Sequence, residues 1–367
     1  MKFSISREAL LRPLTLVAGV VERRHTLPVL SNVLIQVEQD QISLTGTDLE
    51  VELVGRTVAS QVDEAGSITL PARKLMEICK SLPDQAEVQL SLEGERAVLR
   101  SGRSRFTLSS LPAAEFPSID DGQANTELSL PRGTLKHLID TTAFAMAQQD
   151  VRYYLNGMLF EFTANLVRTV ATDGHRLAVC SRPVETPLSE PHKLIVPRKG
   201  VMELVRLLDD GEDPVSLTLG ATHVRVHTGD FTFTSKLVDG KFPDYERVLP
   251  RGGDKVLIAD RAGLRQVLSR AAILANEKYR GVRLYLEEGN LKVMANNPES
   301  EEAEVNIGVE YSGASLEIGF NVVYLIDVLN VLNEDRVQIT LADSNSSGLI
   351  EEPGGGDALY VVMPMRL

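Results

Sequence analysis

Three stretches of this chain can be laid over one another: KFSISREALLRPL (Lys2–Leu14), ELSLPRGTLKHLI (Glu127–Ile139) and KVLIADRAGLRQVL (Lys255–Leu268). Each opens with the period-two alternation of a half-buried strand and then switches to helical spacing. Arg-x-x-Leu recurs at Arg7/Leu10, Arg132/Leu135 and Arg261/Leu264, with the arginines 125 and 129 residues apart. A second anchor keeps the same interval: LTGTD ends at Asp48, VATD at Asp173 and MANN at Asn297. A third is another strand-then-helix unit: ITLPARKLMEIC from Ile68, LIVPRKGVMELV from Leu194 and LEIGFNVVYLIDVL from Leu316. FPSI at Phe116 and FPDY at Phe242 close the first two repeats. A period this long, kept by four anchors, means an array of like domains.

The 367 residues therefore read as three domains, 1–125, 126–253 and 254–367, each with the strand–helix unit twice. Six amphipathic helices are predicted, near 7–20, 72–81, 132–146, 198–208, 261–275 and 320–333. Alternating stretches such as NVLIQVE and GVRLYLE suit antiparallel sheet with one face buried under helices. The fold class is α+β.

Net charge is −13, which alone argues against binding a polyanion. The distribution of that charge points the other way. The six predicted helices carry thirteen Lys/Arg against five Asp/Glu, so the strands and loops hold −21. Helices gathered on one surface would make it basic while the sheets form an acidic exterior. Arg73, Lys74, Arg198 and Lys199 are the candidate phosphate contacts. Arg24, in an Arg-Arg-His turn, and Gln149, Tyr153 and Tyr154, in a loop of the second repeat, are candidates to touch a nucleic acid, the tyrosines by stacking on single-stranded bases.

Chemistry-bearing constellations are missing from the sequence. It has no G-x-x-x-x-G-K-[ST] phosphate loop, no G-x-S-x-G elbow and no Cys/His set at zinc-finger spacing. Asp173-Gly174-His175 reads as a tight turn, Gly354–Gly356 as a hairpin tip, and the acidic run Glu299–Glu304 as a solvated or interface strand. A nuclease would need clustered carboxylates, and a plain protein scaffold would not need basic helices. No cofactor, no metal and no catalytic residue is expected. Cys79 and Cys180 read as buried reduced thiols. The opening MKFSISREALL is not a signal peptide, no apolar run reaches membrane-span length, and a cytosolic location is expected.

Charge also suggests how two copies could meet. Arg96, Arg103 and Arg105 lie on adjoining strands of the first repeat, and Glu299, Glu301, Glu302 and Glu304 on a strand of the third. Head-to-tail edge pairing would join them, with Phe106, Leu108, Ile273 and Leu274 as its apolar centre.

Nine longer stretches carry a family resemblance: TLPVLSN (Thr26–Asn32), LTGTDLE (Leu44–Glu50), SGRSRF (Ser101–Phe106), QQDVRYYLNGMLFE (Gln148–Glu161), TVATDGHRLAVC (Thr169–Cys180), VPRKGV (Val196–Val201), FTSKLVDGKFPDY (Phe233–Tyr245), NEKYRGVRL (Asn276–Leu284) and YVVMPMRL (Tyr360–Leu367). Across all three repeats the chain resembles the β subunit of bacterial DNA polymerase III. The resemblance implies a non-enzymatic clamp, a head-to-tail homodimer whose helices line a central pore and whose sheets lie outside. Duplex DNA would pass through without sequence preference. A clamp loader, the polymerase catalytic subunit, and other polymerases and repair proteins would bind it through short peptides. It also implies a peptide pocket made by Leu155, Thr172, Gly174, His175, Arg176, Leu177, Pro243, Arg247, Val248, Tyr324, Val361, Met363, Pro364 and Met365. Two positions depart from the pattern: Asn345 stands where an apolar residue is expected, and Glu246 adds negative charge near the rim.

Geometry supports two chains. With packed helices about 8–10 Å apart, six in a ring leave a bore of about 8 Å, narrower than even the ~12 Å major groove. Twelve leave on the order of 25 Å, enough for a duplex and a water layer.

Overall fold

The computed structural model describes residues 1–22, 27–119 and 124–366. The chain forms two compact units, one of Met1–Lys136 with Lys199–Val238, the other of His137–Arg198 with Asp239–Leu367. Among the described residues the six helices are α1 (Arg7–Val20), α2 (Ala72–Ser81), α3 (Arg132–Thr142), α4 (Arg198–Val205), α5 (Arg261–Ala271) and α6 (Val322–Val331). Short 3-10 turns extend α3 through Ala145 and α5 through Leu274, while α4 stops three residues before the predicted end. Local chemistry sets the starts: Ser6, Asp260 and Asn321 each accept a hydrogen bond from a first-turn backbone N–H, capping a donor that would otherwise be orphaned.

In the first unit, a five-stranded sheet runs in the order Gln61–Glu64, Lys2–Ser6, Glu87–Glu93, Arg96–Ser101, Ser104–Ser109. An eight-stranded sheet runs Ala124–Pro131, Pro214–Gly220, His223–Thr228, Phe231–Lys236, Val51–Val58, Gln41–Thr47, Asn32–Glu38, Gly66–Pro71. Every pairing is antiparallel, and the seam between repeats sets Phe233 opposite Leu53. Helix α1 lies close on this sheet. A Cβ on Gly46 would come within 2.8 Å of Val17, and one on Gly55 within 2.9 Å of Pro13. Two glycines thus allow a helix carrying an internal proline to seat.

The second unit repeats the plan. Its eight-stranded sheet runs His192–Pro197, Gly157–Phe162, Leu166–Thr172, Arg176–Pro183, Ala358–Val362, Gly348–Glu351, Arg336–Leu341, Lys255–Asp260. Here the seam between repeats sets Leu177 opposite Val361. A four-stranded sheet runs Glu302–Gly308, Asn290–Asn296, Gly281–Glu287, Leu316–Asn321. The core is aliphatic, with Leu10, Leu14, Ile35, Leu44 and Phe233 fully buried in one unit and Phe162, Phe320 and Tyr360 in the other. Among the described residues, no helix is long and apolar enough to cross a membrane.

The recurring Asp/Asn anchor is a turn that caps itself. Asp48 Oδ1 accepts from Val51 N at 2.7 Å, Asp173 Oδ1 from Arg176 N at 3.1 Å, and Asn297 Oδ1 from Glu301 N at 2.9 Å. A short side-chain acceptor holding nearby backbone donors is what Asx turns require.

Candidate peptide pocket and candidate DNA contacts

A largely apolar cavity in the second unit, about 170 Å³, is lined by Arg152, Tyr154, Leu155, Thr172, Gly174, His175, Arg176, Leu177, Pro243, Asp244, Tyr245, Val248, Val361 and Met363. Its walls come from the turn at Asp173, the adjoining ends of the Arg176–Pro183 and Ala358–Val362 strands, and the segment after Phe242. Leu155, Leu177 and Val361 are buried, whereas Val248 and Met363 stand exposed at its mouth. Exposed Met and Val lips over an apolar floor suit a pocket that repacks around varied apolar side chains.

The turn is built for this position. Gly174 has φ +89°, and a Cβ there would approach the Arg152 guanidinium to 2.9 Å. Thr172 Oγ1 donates to Arg176 O at 2.6 Å and accepts from Gly174 N at 3.1 Å. Arg152 is itself tied to Asp150 at 2.9 Å, which holds the Asp150 carboxyl down to about 2.

Ten of the fourteen pocket residues expected from the sequence line this cavity. Arg247 instead borders a neighbouring cavity of about 420 Å³, with Val248, Ser346 and Ser347; its side chain is 84% exposed and paired with Asp244 at 2.6 Å. Tyr324 does not line the cavity but lies against a residue that does, its ring centroid 4.4 Å from the Arg176 guanidinium carbon. Met365 is fastened by its backbone N–H to Gly319 O at 2.7 Å, and Pro364 lies between it and Met363. Arg176, one of the expected pocket residues, has its charged end engaged inward: its guanidinium donates to Asp173 (3.1 Å), Asp327 (2.5 Å) and Phe144 O (2.9 Å). Arg152, Tyr154, Asp244 and Tyr245 were not foreseen as lining; their closeness to recognised pocket residues in sequence is the only signal that pointed to them. Asn345 sits in an exposed turn on Asp343, and Glu246 lies 3.8 Å from Arg168.

Behind the pocket Tyr245 donates to Glu161 at 2.6 Å and accepts from Arg168 at 2.9 Å. Lys193 also pairs with Glu161. Burial and the neighbouring Glu161 push the Tyr245 phenol up to about 12.

The DNA candidates divide into free and engaged cations. Lys74 is exposed on α2. Arg73 donates to Val21 O at 3.3 Å and Arg198 to Met146 O at 3.3 Å. Lys199 is pinned between Glu22, at 2.8 Å, and the buried Asp48. Gln149 is exposed with φ +56°, and Tyr153 is exposed and edge-on to Tyr154, which turns to the pocket. Arg24 lies outside the described residues.

Residues 1–120, 129–244 and 246–366 match, in turn, the N-terminal, central and C-terminal domains of the DNA polymerase III beta subunit. The chain is 60% identical over its full length, and the relative's, to the beta sliding clamp of Pseudomonas putida, and 58% identical on the same terms to that of Escherichia coli K12. Among solved structures, a sliding clamp from Pseudomonas aeruginosa bound to griselimycin superposes with a TM-score of 0.97 at 60% identity, covering all of both chains. One from Bartonella birtlesii, also bound to griselimycin, gives 0.96 at 39% with the same coverage. Three clamp domains with these antiparallel sheets and six helices define a DNA sliding clamp, a non-catalytic processivity factor of DNA replication. The chain belongs to the DNA polymerase III beta subunit family.

Proposed function

We propose that two copies close head to tail into a ring around duplex DNA, helices toward the pore, and that the pocket receives short, partly apolar peptides. Those peptides would come from the polymerase catalytic subunit, the clamp loader, and other polymerases and repair proteins. The sequence-derived domains, 1–125, 126–253 and 254–367, are the repeating unit of that ring, working in the cytosol.

One observation carries the ring. In each unit, the strand that follows the Asp turn of one repeat pairs with the last strand of the next. Val51–Val58 takes Phe231–Lys236, and Arg176–Pro183 takes Ala358–Val362. By that rule Glu302–Gly308 needs the last strand of a further repeat, and Ser104–Ser109 needs a strand to receive it. Both are edges of their sheets. Open edges are a liability unless paired, and a second copy supplies each with its counterpart. The edges are complementary: Arg96, Arg103 and Arg105 are exposed on one side, Glu299, Glu301, Glu302 and Glu304 on the other. Ile273, 75% exposed, is an apolar side chain in want of cover, beside half-buried Leu274. Half-buried Phe106 and buried Leu108 face it from the first repeat's edge strand in this reading.

Retention on DNA is then topological. A chain of net charge −13 need not bind the polyanion tightly if it encircles it, and weak phosphate contacts permit sliding. The test loads the clamp on nicked circular DNA with a clamp loader and ATP, then passes the complex through a gel-filtration column in high salt. Retention is expected until a single restriction cut linearises the DNA, after which the clamp should run free. Equal retention on circular and linear DNA, with a steep salt dependence on both, would overturn encirclement.

A further inference from the structure

We propose that the chain carries a transition-metal site of the zinc class, formed by His137, Cys180 and Asp357. The three ligand atoms come from different elements and lie within 4.8 Å of one another. His137 projects from α3, Cys180 from the middle of the Arg176–Pro183 strand, and Asp357 from the residue before the Ala358–Val362 strand. His137 Nε2 is 2.9 Å from Asp357 Oδ2. Cys180 is fully buried beneath them, while the His137 and Asp357 side chains are 24% and 26% exposed, which leaves a way in from solvent.

The backbone around these groups is held in place. Cys180 is in register with Ala358, and Ser181 N donates to Asp357 O at 2.7 Å. On α3, one turn beyond His137, Thr141 O accepts from the buried Tyr360 hydroxyl at 3.2 Å. The ligands are therefore held by a helix, a strand and the residue that leads into the strand paired with it, the firm support that a metal site needs.

The donor set selects the ion. One thiolate, one imidazole and one carboxylate suit Zn²⁺ or Co²⁺, with water in a fourth position, whereas Mg²⁺ and Ca²⁺ prefer oxygen throughout. Binding would form metal–sulfur, metal–nitrogen and metal–oxygen bonds, release the thiol proton to solvent, and involve no change of oxidation state.

Arg182 competes for this place. Its Nε is 2.6 Å from Asp357 Oδ2, yet among the described residues this buried donor has no well-directed acceptor. The side chain is 42% exposed and can turn outward. A poorly aligned guanidinium is a weak occupant beside a carboxylate that a divalent ion could take.

The test uses the full chain, stripped with a chelator and titrated with Co²⁺ and Zn²⁺. About one Co²⁺ per chain is expected, with the near-ultraviolet absorption of a sulfur–cobalt bond, since the site has one thiol ligand. Zn²⁺ should raise the melting temperature and equal Mg²⁺ should not. Cys180→Ser should abolish the sulfur band, while Cys79→Ser should keep it. His137→Gln and Asp357→Asn, at part-exposed positions, should weaken binding by about tenfold or more. Arg182→Gln should tighten it. A missing sulfur band in the unaltered chain, a band that survives Cys180→Ser, or equal effects of Zn²⁺ and Mg²⁺ would each overturn the site and leave an ion-pair cluster around an inert thiol.

Discussion

The phenol of Tyr245 donates to Glu161 Oε2 at 2.6 Å across 84 residues of sequence. Tyr245 thereby joins the pocket wall to an ionic cluster on the sheet behind it, where Arg168 and Lys193 also meet the Glu161 carboxylate. A buried carboxylate is tolerated only with such partners. Tyr245→Phe removes the donor and keeps the ring. A loss of about 1–3 kcal/mol in urea unfolding is expected, the cost of stripping one hydrogen bond from a buried charged group. An unchanged midpoint would mean that Arg168 and Lys193 satisfy Glu161 alone.

The same bond has a pH signature. The Tyr245 phenol is raised from 10 to about 12 by burial and by Glu161. Below about pH 10 folded and unfolded chains both keep the proton. As pH rises toward about 12 the unfolded chain loses it first, so this contribution to stability is lost across that window. Other groups titrate there too, so the quantity to measure is the difference between the unaltered chain and Tyr245→Phe. That difference should shrink from pH 10 to 12; a difference flat in pH would remove the argument.

Arg176 and Arg247 should separate by function. Arg176 is 12% exposed, donates to two carboxylates and a backbone carbonyl, and lies over the Phe144 and Tyr324 rings. Arg176→Ala leaves Asp173 and Asp327 without it and should destabilise the fold, by at most about 3–5 kcal/mol, the range for a fully buried pair. Arg247, almost wholly exposed, should cost little stability when replaced by Ala, within about 0.5 kcal/mol. Its loss should instead weaken peptide binding in a salt-dependent way. Calorimetry with a polymerase-derived peptide, beside denaturation curves, reads both. Equal loss of stability in the two variants would sink the distinction.

For the ring, Ile273→Ala with Leu274→Ala should give monomers by light scattering, since these side chains are the apolar centre of the proposed contact. Arg103→Glu with Arg105→Glu should do the same through repulsion from Glu302 and Glu304, and mixing that variant with Glu302→Arg/Glu304→Arg should restore association. A dimer mass that persists in the first two variants would place the interface elsewhere.

Much of this fold was legible from local chemistry. Helices α1 and α2 span the predicted residues because apolar spacing and, for α1, the Ser6 cap are encoded within a few positions. Strand partners are a different matter. Nothing local marks Phe233 as the neighbour of Leu53, since that pairing spans the chain and is settled by the shape of both sheets. The compact units therefore do not follow the repeats: each half of the second repeat shares a sheet with a different neighbour. The pocket shows the same divide. Gly174, Arg176 and Leu177 could be named from a contiguous motif, but Tyr245 lines it because of Glu161, which sequence spacing does not reveal. Counting charges on helices likewise treats Lys74 and Lys199 alike, and only the folded partners tell them apart.

That difference yields the last prediction. Lys74 is exposed on α2, free of any ion pair among the described residues, whereas Lys199 is half-buried between Glu22 and Asp48. Asp48, 8% exposed, also caps the turn that leads into the seam strand. Removing Lys199 leaves a buried carboxylate short of its cation, and burial with too few partners is what makes such losses expensive. Lys199→Ala should thus lower the unfolding midpoint markedly, and any DNA effect should follow from that loss. Lys74→Ala should leave the midpoint unchanged. If Lys74 touches phosphate in the pore, its removal should reduce the slope of log affinity against log salt by about 0.9 for each phosphate it neutralises. The measurement is binding of the closed dimer to short linear duplex across a salt series, beside urea denaturation of both variants. A Lys74→Ala protein with the unaltered slope would take that residue out of the DNA contact set. A Lys199→Ala protein of full stability would show that Asp48 does not depend on its lysine.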